Sequence, residues 1–418
     1  MNGNGILLYI DPGTGSMLFT ILLGIVGTGM FFAKKLMLKI KFRLSGGKVD
    51  AVTGESMPYV MFSDSKTYWN TFRPICDEFE KRGLDAVYWT ASPDDPALKT
   101  DYKHVKCEFI GEGNKAFAKL NMMKADICLA TTPNLDVFQW KRSRDVKFYA
   151  HVMHSAATTL LYRMFGMDFY DAILLTGDFQ TEEVRELEKI RKDKEKELRV
   201  VGCPYLDELK KRLDEYNKED TAAAQSDRKT ILLAPSWGET AILKKYGEKI
   251  LSALIKTGYK IIVRPHPQSS RSEKDMLDKL MKEYPENEDL EWNFDTDNFE
   301  ALRRADLMIT DFSAVILDFA LVFNKPVIYT EYKIDKAVYD AAWIEHDLWQ
   351  EDTFPKLGAP LKEEQFDDMK TVIDSVIESD VYADGRNKAR EEAWAHIGHS
   401  AEEIVNYLTE KSKALTDQ

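Results

Sequence analysis

Short apolar runs alternate with longer amphipathic stretches along most of this chain. The short runs have the length of buried strands, and the amphipathic stretches carry apolar positions spaced as on one face of a helix. This alternation predicts βα units built around mainly parallel sheets. In the first half, helices are predicted at Thr67–Arg82 and Thr181–Lys192. The predicted strands there are Tyr59–Ser63, Ala86–Thr90, Lys106–Ile110, Asp126–Ala130, Val146–His151 and Ala172–Thr176.

The same alternation restarts in the second half, after a charged stretch. Between Leu209 and Lys229 the chain loses its apolar face toward the C-terminal end, which is typical of a solvated linker between domains. Helices are then predicted at Lys244–Lys256, after Ser272 and at Ser313–Phe323. The predicted strands are Ile231–Ala234, Lys260–Arg264, Leu307–Thr310 and Val327–Tyr329.

The pattern therefore predicts an α/β fold with two Rossmann-like domains that face a common cleft. Ligands of open α/β sheets bind at the carboxyl ends of the strands, so the cleft is the expected site. We place a first domain at residues 57–215, a linker at 216–229, a second domain at 230–400 and a C-terminal helix and tail at 401–418. A chain of 418 residues is long enough for two such domains with appendages.

The segment Ser16–Ala33 is apolar and contains no charged residue. It is long enough to cross a membrane or nearly so, and basic residues follow it instead of preceding it, unlike a signal peptide. We predict one transmembrane helix within residues 1–44, followed by a linker at 45–56. Because cations gather on the cytoplasmic side, both domains are expected in the cytoplasm, anchored to the cell membrane by a single pass. A helix lying in the membrane interface is the alternative, and it also keeps the domains at the lipid bilayer.

The chain is acidic, with a formal net charge of -13. Nucleic acid is therefore not an expected partner, since phosphate backbones are bound by clustered Lys and Arg, and no such stripe occurs in the predicted domains. The cysteines Cys76, Cys107, Cys128 and Cys203 lie in or beside apolar runs, without CxxC spacing. They are predicted to be reduced core residues. No metal site and no cofactor is predicted.

A stiff turn follows one of the predicted strands in the second half. Arg264-Pro265-His266-Pro267 stands at the carboxyl end of this strand, and the two prolines restrict the backbone around His266. The imidazole can donate a hydrogen bond or a positive charge to a diphosphate, and Arg264 can do the same. A surface histidine in a rigid turn is the structural alternative.

Another strand of the second half leads through a polar turn into a largely apolar helix. The turn contains Thr310, Asp311 and Ser313, and the helix is expected to begin at Ser313. Free amides at a helix start bind anions, and the Ser313 hydroxyl adds a further donor. Ser313 or Asp311 acting only as a helix cap is an equal alternative on local sequence.

Two histidines stand three residues apart where a strand of the first half ends. His151 and His154 precede Ser155 and an apolar helical pattern, so at least one imidazole is expected to face the cleft. An imidazole is a suitable general base for an acceptor hydroxyl that attacks phosphorus. A zinc pair lacks a third ligand at suitable spacing, and a buried structural histidine remains the other interpretation.

Four short motifs occur in order between about residues 145 and 335. They are HSA at His154, APSW at Ala234, RPHP at Arg264 and TDFSAVILD at Thr310. Together they resemble the HGT-type motif, the APTW-like loop, the R-x-HP turn and the TDYSS-x-x-x-D segment of the CDP-glycerol glycerophosphotransferase family, which includes teichoic-acid primases and polymerases. Each motif alone is weak, whereas four in order form a specific signal.

The resemblance implies a GT-B type fold, a metal-independent phosphotransfer and a location at the membrane surface. It implies a transferase that moves glycerol phosphate, or a related polyol phosphate, from a CDP-activated donor such as CDP-glycerol. The implied acceptor is a membrane-linked glycan or teichoic-acid-like polyol phosphate. Alternatives are a GT-B glycosyltransferase that uses a nucleotide sugar, and a membrane-tethered nucleotide-binding scaffold without catalysis.

The resemblance also carries roles onto individual residues. His154 is expected to be the catalytic base, with His266 as the second catalytic residue. The residues expected to bind the donor or its phosphates are Arg264, Thr310, Asp311, Ser313 and Ser236, and those expected in support are His151, Ser155 and Asp318.

Two departures from the family motifs bear on the substrate. Ser155-Ala156 replaces Gly-Thr after the first histidine, and Ala314 replaces the second serine of the usual pair, so one phosphate contact is expected to be missing. These changes put the donor polyol in question more than the reaction type. The predicted anchor favours a primase or a single-unit decorating enzyme over a polymerase.

Overall fold

The computed structural model describes residues 56–219, 228–332 and 334–417. The predicted transmembrane helix and most of the linker after it lie outside these residues. Within them, the helices are all too short or too polar to span a bilayer.

The first sheet is built entirely from parallel strands in the order β3-β2-β1-β4-β5-β6-β7. Its strands are β1 Met57–Ser63, β2 Ala86–Thr90, β3 Val105–Phe109, β4 Ala125–Ala130, β5 Val146–Val152, β6 Ala172–Leu175 and β7 Glu197–Val200. The helices between them are α1 Trp69–Arg82, α2 Asn114–Leu120 and α3 Asp178–Arg191, and α4 Pro204–Glu219 leaves toward the second sheet.

The second sheet is also parallel, in the order β10-β9-β8-β11-β12-β13. Its strands are β8 Thr230–Ala234, β9 Lys260–Val263, β10 Leu290–Trp292, β11 Leu307–Thr310, β12 Val327–Thr330 and β13 Ala359–Leu361. The helices are α5 Ile242–Ile255, α6 Ser269–Ser272, α7 Lys274–Glu283, α8 Phe299–Arg304, α9 Val315–Leu317, α10 Trp349–Leu357, α11 Met369–Glu378, α12 Ala383–Ala393 and α13 Ser400–Thr416. Helix α9 continues as a π-helix over Asp318–Phe323.

Short 3-10 turns complete the described elements. They lie at Lys66–Tyr68, Pro96–Lys99, Thr159–Leu161, Lys336–Val338, Asp340–Trp343 and Glu363–Asp368.

Every strand predicted from the apolar runs is present, with ends that differ by at most two residues. Three strands were not predicted, namely β7, β10 and β13, and all three are edge strands. An edge strand is short and covered less completely than a central one, so its sequence lacks a continuous apolar run.

In helix α1, the apolar positions of the sequence form the face that packs into the core. Its buried face carries Phe72, Ile75 and Phe79, spaced three and four residues apart as one side of a helix requires. The helix ends at Gly83, which adopts the left-handed conformation at a φ of 66° that glycine permits without strain.

The C-terminal part of the chain returns to the first sheet. Helix α13 places Ile404 and Leu408 in the same apolar cluster as Tyr59 and Phe79, on the face that α1 also covers. The segment before α13 is held in place by the Asp207 carboxylate. This carboxylate accepts hydrogen bonds from the Trp394 indole and from the backbone amides of Gly398 and Ser400 at 2.8 to 3.0 Å. The first lobe is therefore completed by residues that follow the second lobe in sequence.

Candidate active site

The carboxyl ends of the two parallel sheets carry the loops with the predicted chemistry, and apolar packing joins two of these loops. Ala156, two residues after His154, is fully buried in one cluster with Ile316 and Leu317, which follow Ser313. A polar contact accompanies this packing, since the Asn70 amide donates to the Asp297 carboxylate of the second lobe at 3.0 Å. The loop that bears His154 and the helix that follows the Ser313 turn thus contribute to one apolar core.

His154 is held from two sides at the end of β5. Its Nδ1 atom lies 2.8 Å from the hydroxyl oxygen of Thr131, which follows β4. The Tyr68 ring packs on the imidazole with 4.7 Å between ring centroids, and the Tyr162 hydroxyl lies 3.5 Å from Nδ1. Three residues from different parts of the first lobe therefore fix the orientation of this imidazole.

The surroundings of His154 favour its neutral form. Desolvation by the neighbouring rings and backbone lowers the pKa of His154 to about 4, although part of the residue stays open to solvent. If Nδ1 donates to the Thr131 hydroxyl, the lone pair is on Nε2, for which the described residues provide no hydrogen-bond partner. A neutral imidazole with an accessible lone pair can accept a proton.

His151 lies in the core. Its side chain is completely buried, with Nε2 at 3.3 Å from the Tyr162 hydroxyl and its ring against those of Tyr162 and Tyr170. Burial, and secondarily the nearby His154, lowers the pKa of His151 to about 3. Of the two histidines, His154 is the partly exposed one. His151 contributes through Tyr162, which contacts both imidazoles.

Ser155 follows His154 directly. Its hydroxyl oxygen is buried and has no hydrogen-bond partner among the residues that the structure describes. A buried hydroxyl without a partner costs free energy, so this donor is available to a ligand group that reaches it.

His266 has a defined tautomer. Its Nδ1 atom accepts a hydrogen bond from the Gln268 backbone amide at 3.1 Å, so the proton of the neutral ring is on Nε2. Desolvation lowers the pKa of His266 below its ordinary value, and the nearby Glu273 opposes this only in part. The imidazole therefore presents an N–H donor, which suits a phosphate oxygen. The indole of Trp237 stands beside it, with 6.4 Å between ring centroids.

The Asp311 carboxylate binds backbone amides of two loops, one after β8 and its own turn after β11. One carboxylate oxygen accepts from the backbone amides of Ser236 at 2.8 Å and Ser313 at 3.2 Å, and the other accepts from the amide of Ile242 at 2.9 Å. The side chain is completely buried. An ionised carboxylate offers no proton to a phosphate, so these contacts favour a positioning role for Asp311 over the predicted direct contact.

Three further polar residues at this sheet edge were predicted to bind the donor, namely Thr310, Ser236 and Ser313. Thr310 is buried and donates its hydroxyl to the Ala234 carbonyl at 2.6 Å, which ties β11 to β8. The Ser236 hydroxyl is buried in the loop that Asp311 holds. Ser313 does not begin the helix as predicted, because α9 starts at Val315 with Ala314 as its N-cap residue. Ser313 precedes this cap residue and is buried.

Arg264 contacts a neighbouring loop of its own lobe. Its guanidinium donates to the Asn293 side chain and, at 2.7 Å, to the Asp295 carbonyl, both in the loop after β10. Arg264 was expected to bind a diphosphate, and in the structure its guanidinium makes these contacts within its own lobe. Arg264 therefore holds two adjacent loops together.

Asp318 is buried at the start of the π-helix. It accepts hydrogen bonds from the Tyr205 hydroxyl at 3.1 Å and from the Asn298 amide at 3.4 Å. Burial raises the pKa of Asp318 to about 7, and the two hydrogen bonds oppose this shift only in part. These hydrogen bonds connect the π-helix to α4 and to the residue before α8. Asp318 therefore stabilises the helix that follows the Ser313 turn.

Thr131 and Tyr68 were not identified from the sequence. Thr131 directly follows a predicted strand, at the sheet edge where ligands bind, so its position was a usable signal. Tyr68 stands at the predicted start of α1, where nothing in the local pattern indicates a contact with His154. Within the described ranges, no group of three or more His, Cys, Asp or Glu side chains is arranged to hold a metal ion.

Comparison with known proteins gives one family match. The sequence model of the family described as CDP-glycerol:poly(glycerophosphate) glycerophosphotransferase matches residues 154–410. This segment covers more than half of the chain and contains every candidate residue except His151. A search of curated protein sequences finds no match.

Solved structures share the fold at low sequence identity. A structure of the wall teichoic acid polymerase TagF superposes with a TM-score of 0.60 and 17% identity, covering 95% of this chain and 99% of the TagF chain. UDP-GlcNAc 2-epimerase from Neisseria meningitidis, bound to UDP-GlcNAc, superposes with a TM-score of 0.57 and 11% identity, covering 85% of this chain and 100% of the other. These similarities show a two-lobed α/β fold of the GT-B type.

Proposed function

This chain belongs to the CDP-glycerol:poly(glycerophosphate) glycerophosphotransferase family, and on that premise we propose that it moves glycerol phosphate from CDP-glycerol to a polyol-phosphate or glycan acceptor of the cell envelope. Membership makes it an enzyme of the glycerophosphotransferase type. The identity of the donor and of the acceptor belongs to the proposal.

The observation that carries the proposal is the setting of His154. A neutral imidazole, fixed through Nδ1 by Thr131, stands on a loop that shares one apolar core with the helix beyond Ser313. A phosphotransfer to an alcohol needs this combination, because the hydroxyl must lose its proton as it attacks a phosphorus atom held close by.

The proposed step is a displacement at phosphorus. The acceptor hydroxyl oxygen attacks the phosphorus that bears glycerol, while Nε2 of His154 accepts the hydroxyl proton. The bond from this phosphorus to the bridging oxygen breaks, and CMP leaves with that oxygen and its electron pair. The product is a phosphodiester between the acceptor and glycerol, so atoms and charge balance.

The second lobe supplies groups for the diphosphate. The Nε2–H of His266 and the hydroxyl of Ser313 are donors for phosphate oxygens, and such donors stabilise the charge that builds up on the leaving phosphate. Asp311 contributes by fixing the two loops around this site. One of the TagF structures comes from a 30 minute soak with CDPG, which is consistent with this type of donor for that protein.

We further propose that the enzyme works at the cytoplasmic face of the cell membrane. The support for this location is the uncharged segment Ser16–Ala33 and the basic residues that follow it. Deletion of residues 1–44 should move the protein from the membrane fraction to the soluble fraction while the catalytic step persists on a water-soluble acceptor.

The test of the donor is direct competition among nucleotides. Purified enzyme is incubated with CDP-glycerol, CDP-ribitol and a panel of UDP- and CMP-sugars, and the release of the nucleotide monophosphate or diphosphate is followed. Release of CMP from CDP-glycerol supports the proposal. Turnover of a nucleotide sugar alone would favour the alternative, a glycosyltransferase, which is suggested by the shared fold with the UDP-GlcNAc epimerases.

A further inference from the structure

An exposed aromatic side chain stands at the carboxyl edge of the second sheet. Phe294 is the second residue after β10 and is 48% exposed. Strand β10 pairs in parallel with β9, which leads into His266, so Phe294 and His266 lie on neighbouring loops of the same edge. About half of this ring is accessible to solvent, so one of its faces is available to a planar ligand group.

The loop around Phe294 is fixed on both sides. Arg264 donates to the side chain of Asn293, which precedes Phe294, and to the carbonyl of Asp295, which follows it. The Asn293 amide group in turn donates to the carboxylates of Glu291 and Asp295 at 3.1 and 2.9 Å, and its backbone amide donates to the Val263 carbonyl at 2.8 Å. Phe294 is therefore held at a defined place while its ring stays open.

The order of the loops matches the order of groups in a nucleoside diphosphate. Along the sheet edge the sequence of loops is Ser313 after β11, Trp237 after β8, His266 after β9 and Phe294 after β10. Adjacent strands are about 4.8 Å apart, so Phe294 lies roughly one strand beyond the diphosphate donors. A ribose spans a gap of that size, which puts the base over Phe294.

We propose that Phe294 is the platform on which the pyrimidine base of the donor stacks, and that Arg264 is a positioning residue for this platform. The inference rests on the proposed function and adds the residue that binds the nucleoside part. Stacking of a base on an aromatic ring contributes to affinity without dependence on hydrogen bonding, because every base has a π-face. Arg264 acts through Phe294 in this arrangement and does not touch the diphosphate.

The first test measures binding of CDP and of inorganic pyrophosphate by calorimetry to the wild type, Phe294→Ala and Phe294→Tyr. Loss of a stacking ring is expected to weaken CDP binding roughly tenfold or more, whereas pyrophosphate binding should stay within about twofold. Phe294→Tyr keeps a ring and should bind CDP like the wild type. Phe138→Ala is the matched control, since Phe138 is another exposed phenylalanine, at 55%, in the first lobe.

The second test separates positioning from direct contact. Arg264→Lys keeps a positive charge but loses the fork that holds Asn293 and Asp295, so CDP binding should weaken while pyrophosphate binding should not. In the Phe294→Ala background, Arg264→Lys should add little further loss, because both changes remove the same platform. Additive losses, or a matching loss of pyrophosphate binding, would overturn the positioning role.

The outcomes distinguish this inference from the proposed function. Normal CDP binding and an unchanged KM for CDP-glycerol in Phe294→Ala would overturn the platform and leave the proposed reaction standing. If the wild type binds UDP-sugars and not CDP-glycerol, and Phe294→Ala weakens that binding, the proposed donor is wrong and the stacking role of Phe294 is retained. A wild type that binds no nucleotide would overturn both.

Discussion

The Nδ1 atom of His154 lies 2.8 Å from the hydroxyl oxygen of Thr131, so a residue from one strand end sets the orientation of the imidazole at the next. Thr131→Val keeps the shape of the side chain and removes the hydroxyl. With the ring free to turn or to change tautomer, kcat is expected to fall roughly ten- to hundredfold, while Kd for CDP stays near the wild-type value. Steady-state kinetics and calorimetry measure the two quantities. A large loss of CDP binding with normal kcat would contradict the orienting role.

Removal of the proposed base should have a larger effect. His154→Ala is expected to lower kcat by about a hundredfold or more, the usual contribution of a positioned general base, with the fold retained. His346→Ala is the matched control, because this histidine is exposed and its imidazole hydrogen-bonds to the Glu186 carboxylate and the Asp347 carbonyl. Equal rates in both variants would remove His154 from the mechanism.

The pH dependence of kcat/KM follows from the lowered pKa of His154, about 4 in the free enzyme. A base is active when deprotonated, so His154 is competent above that pH and loses competence as the pH falls through it. The acid limb of kcat/KM is therefore expected near pH 4 to 5 and not near 6.5, the ordinary value for histidine. Rates are measured after brief exposure to each pH, with recovery at pH 7 as the check for unfolding.

Substitution of Ser313 should affect CDP binding and not stability, whereas substitution of Asp311 should mainly affect stability. Ser313→Ala removes a proposed phosphate donor and is expected to raise Kd for CDP severalfold, with the free energy of unfolding little changed. Ser375→Ala, at an exposed position of α11, is the control that should change neither.

Asp311→Ala leaves the amides of Ser236, Ile242 and Ser313 without their acceptor. The free energy of unfolding is expected to fall by about 2 to 4 kcal/mol, which urea titration measures. Asp101→Ala removes an exposed carboxylate and should be close to neutral. A stable Asp311→Ala variant with weak CDP binding would restore the direct phosphate contact predicted from the sequence.

Asp318 provides a test of stability against pH. Its pKa is raised to about 7 from an ordinary value of about 4, so the native state binds more protons than the unfolded state between these values. The free energy of unfolding should therefore fall as the pH rises through this window. Asp318→Asn stays neutral and is expected to be more stable than the wild type at pH 8, by an amount on the order of a few kcal/mol. The difference should shrink toward pH 4, and thermal unfolding at several pH values measures it.

The central architecture was predictable because central strands are apolar on both faces. β1, β4 and β5 show continuous runs, as do β8, β9 and β11, and the alternation with helices then dictates parallel sheets. The edge strand β10 lacks such a run, so Phe294, which follows it, gave no signal in the sequence. The loops that carry His154, His266 and Ser313 were found because each directly follows a predicted central strand.

Side-chain partners were less predictable than positions. Asp311 and Arg264 carry charges in suitable loops, and the sequence pattern cannot distinguish a charge that binds a ligand from one that binds a neighbouring loop. The structure assigns both to loop–loop contacts, through backbone amides in one case and through Asn293 and Asp295 in the other. The contact of Thr131 with His154 depends on the pairing of β4 with β5, which neither local sequence contains.

Helix α13 lies in the apolar core of the first lobe, although the whole second lobe separates it from β1 in sequence. During synthesis, β1–β7 leave the ribosome long before α13 does. Until α13 is made, part of the apolar surface of the first lobe stays uncovered, and such surface favours association between incomplete chains. Contacts so distant along the chain also slow the search for the native arrangement. The first lobe is therefore translated before the second lobe but is expected to complete its folding only after the second lobe has been made.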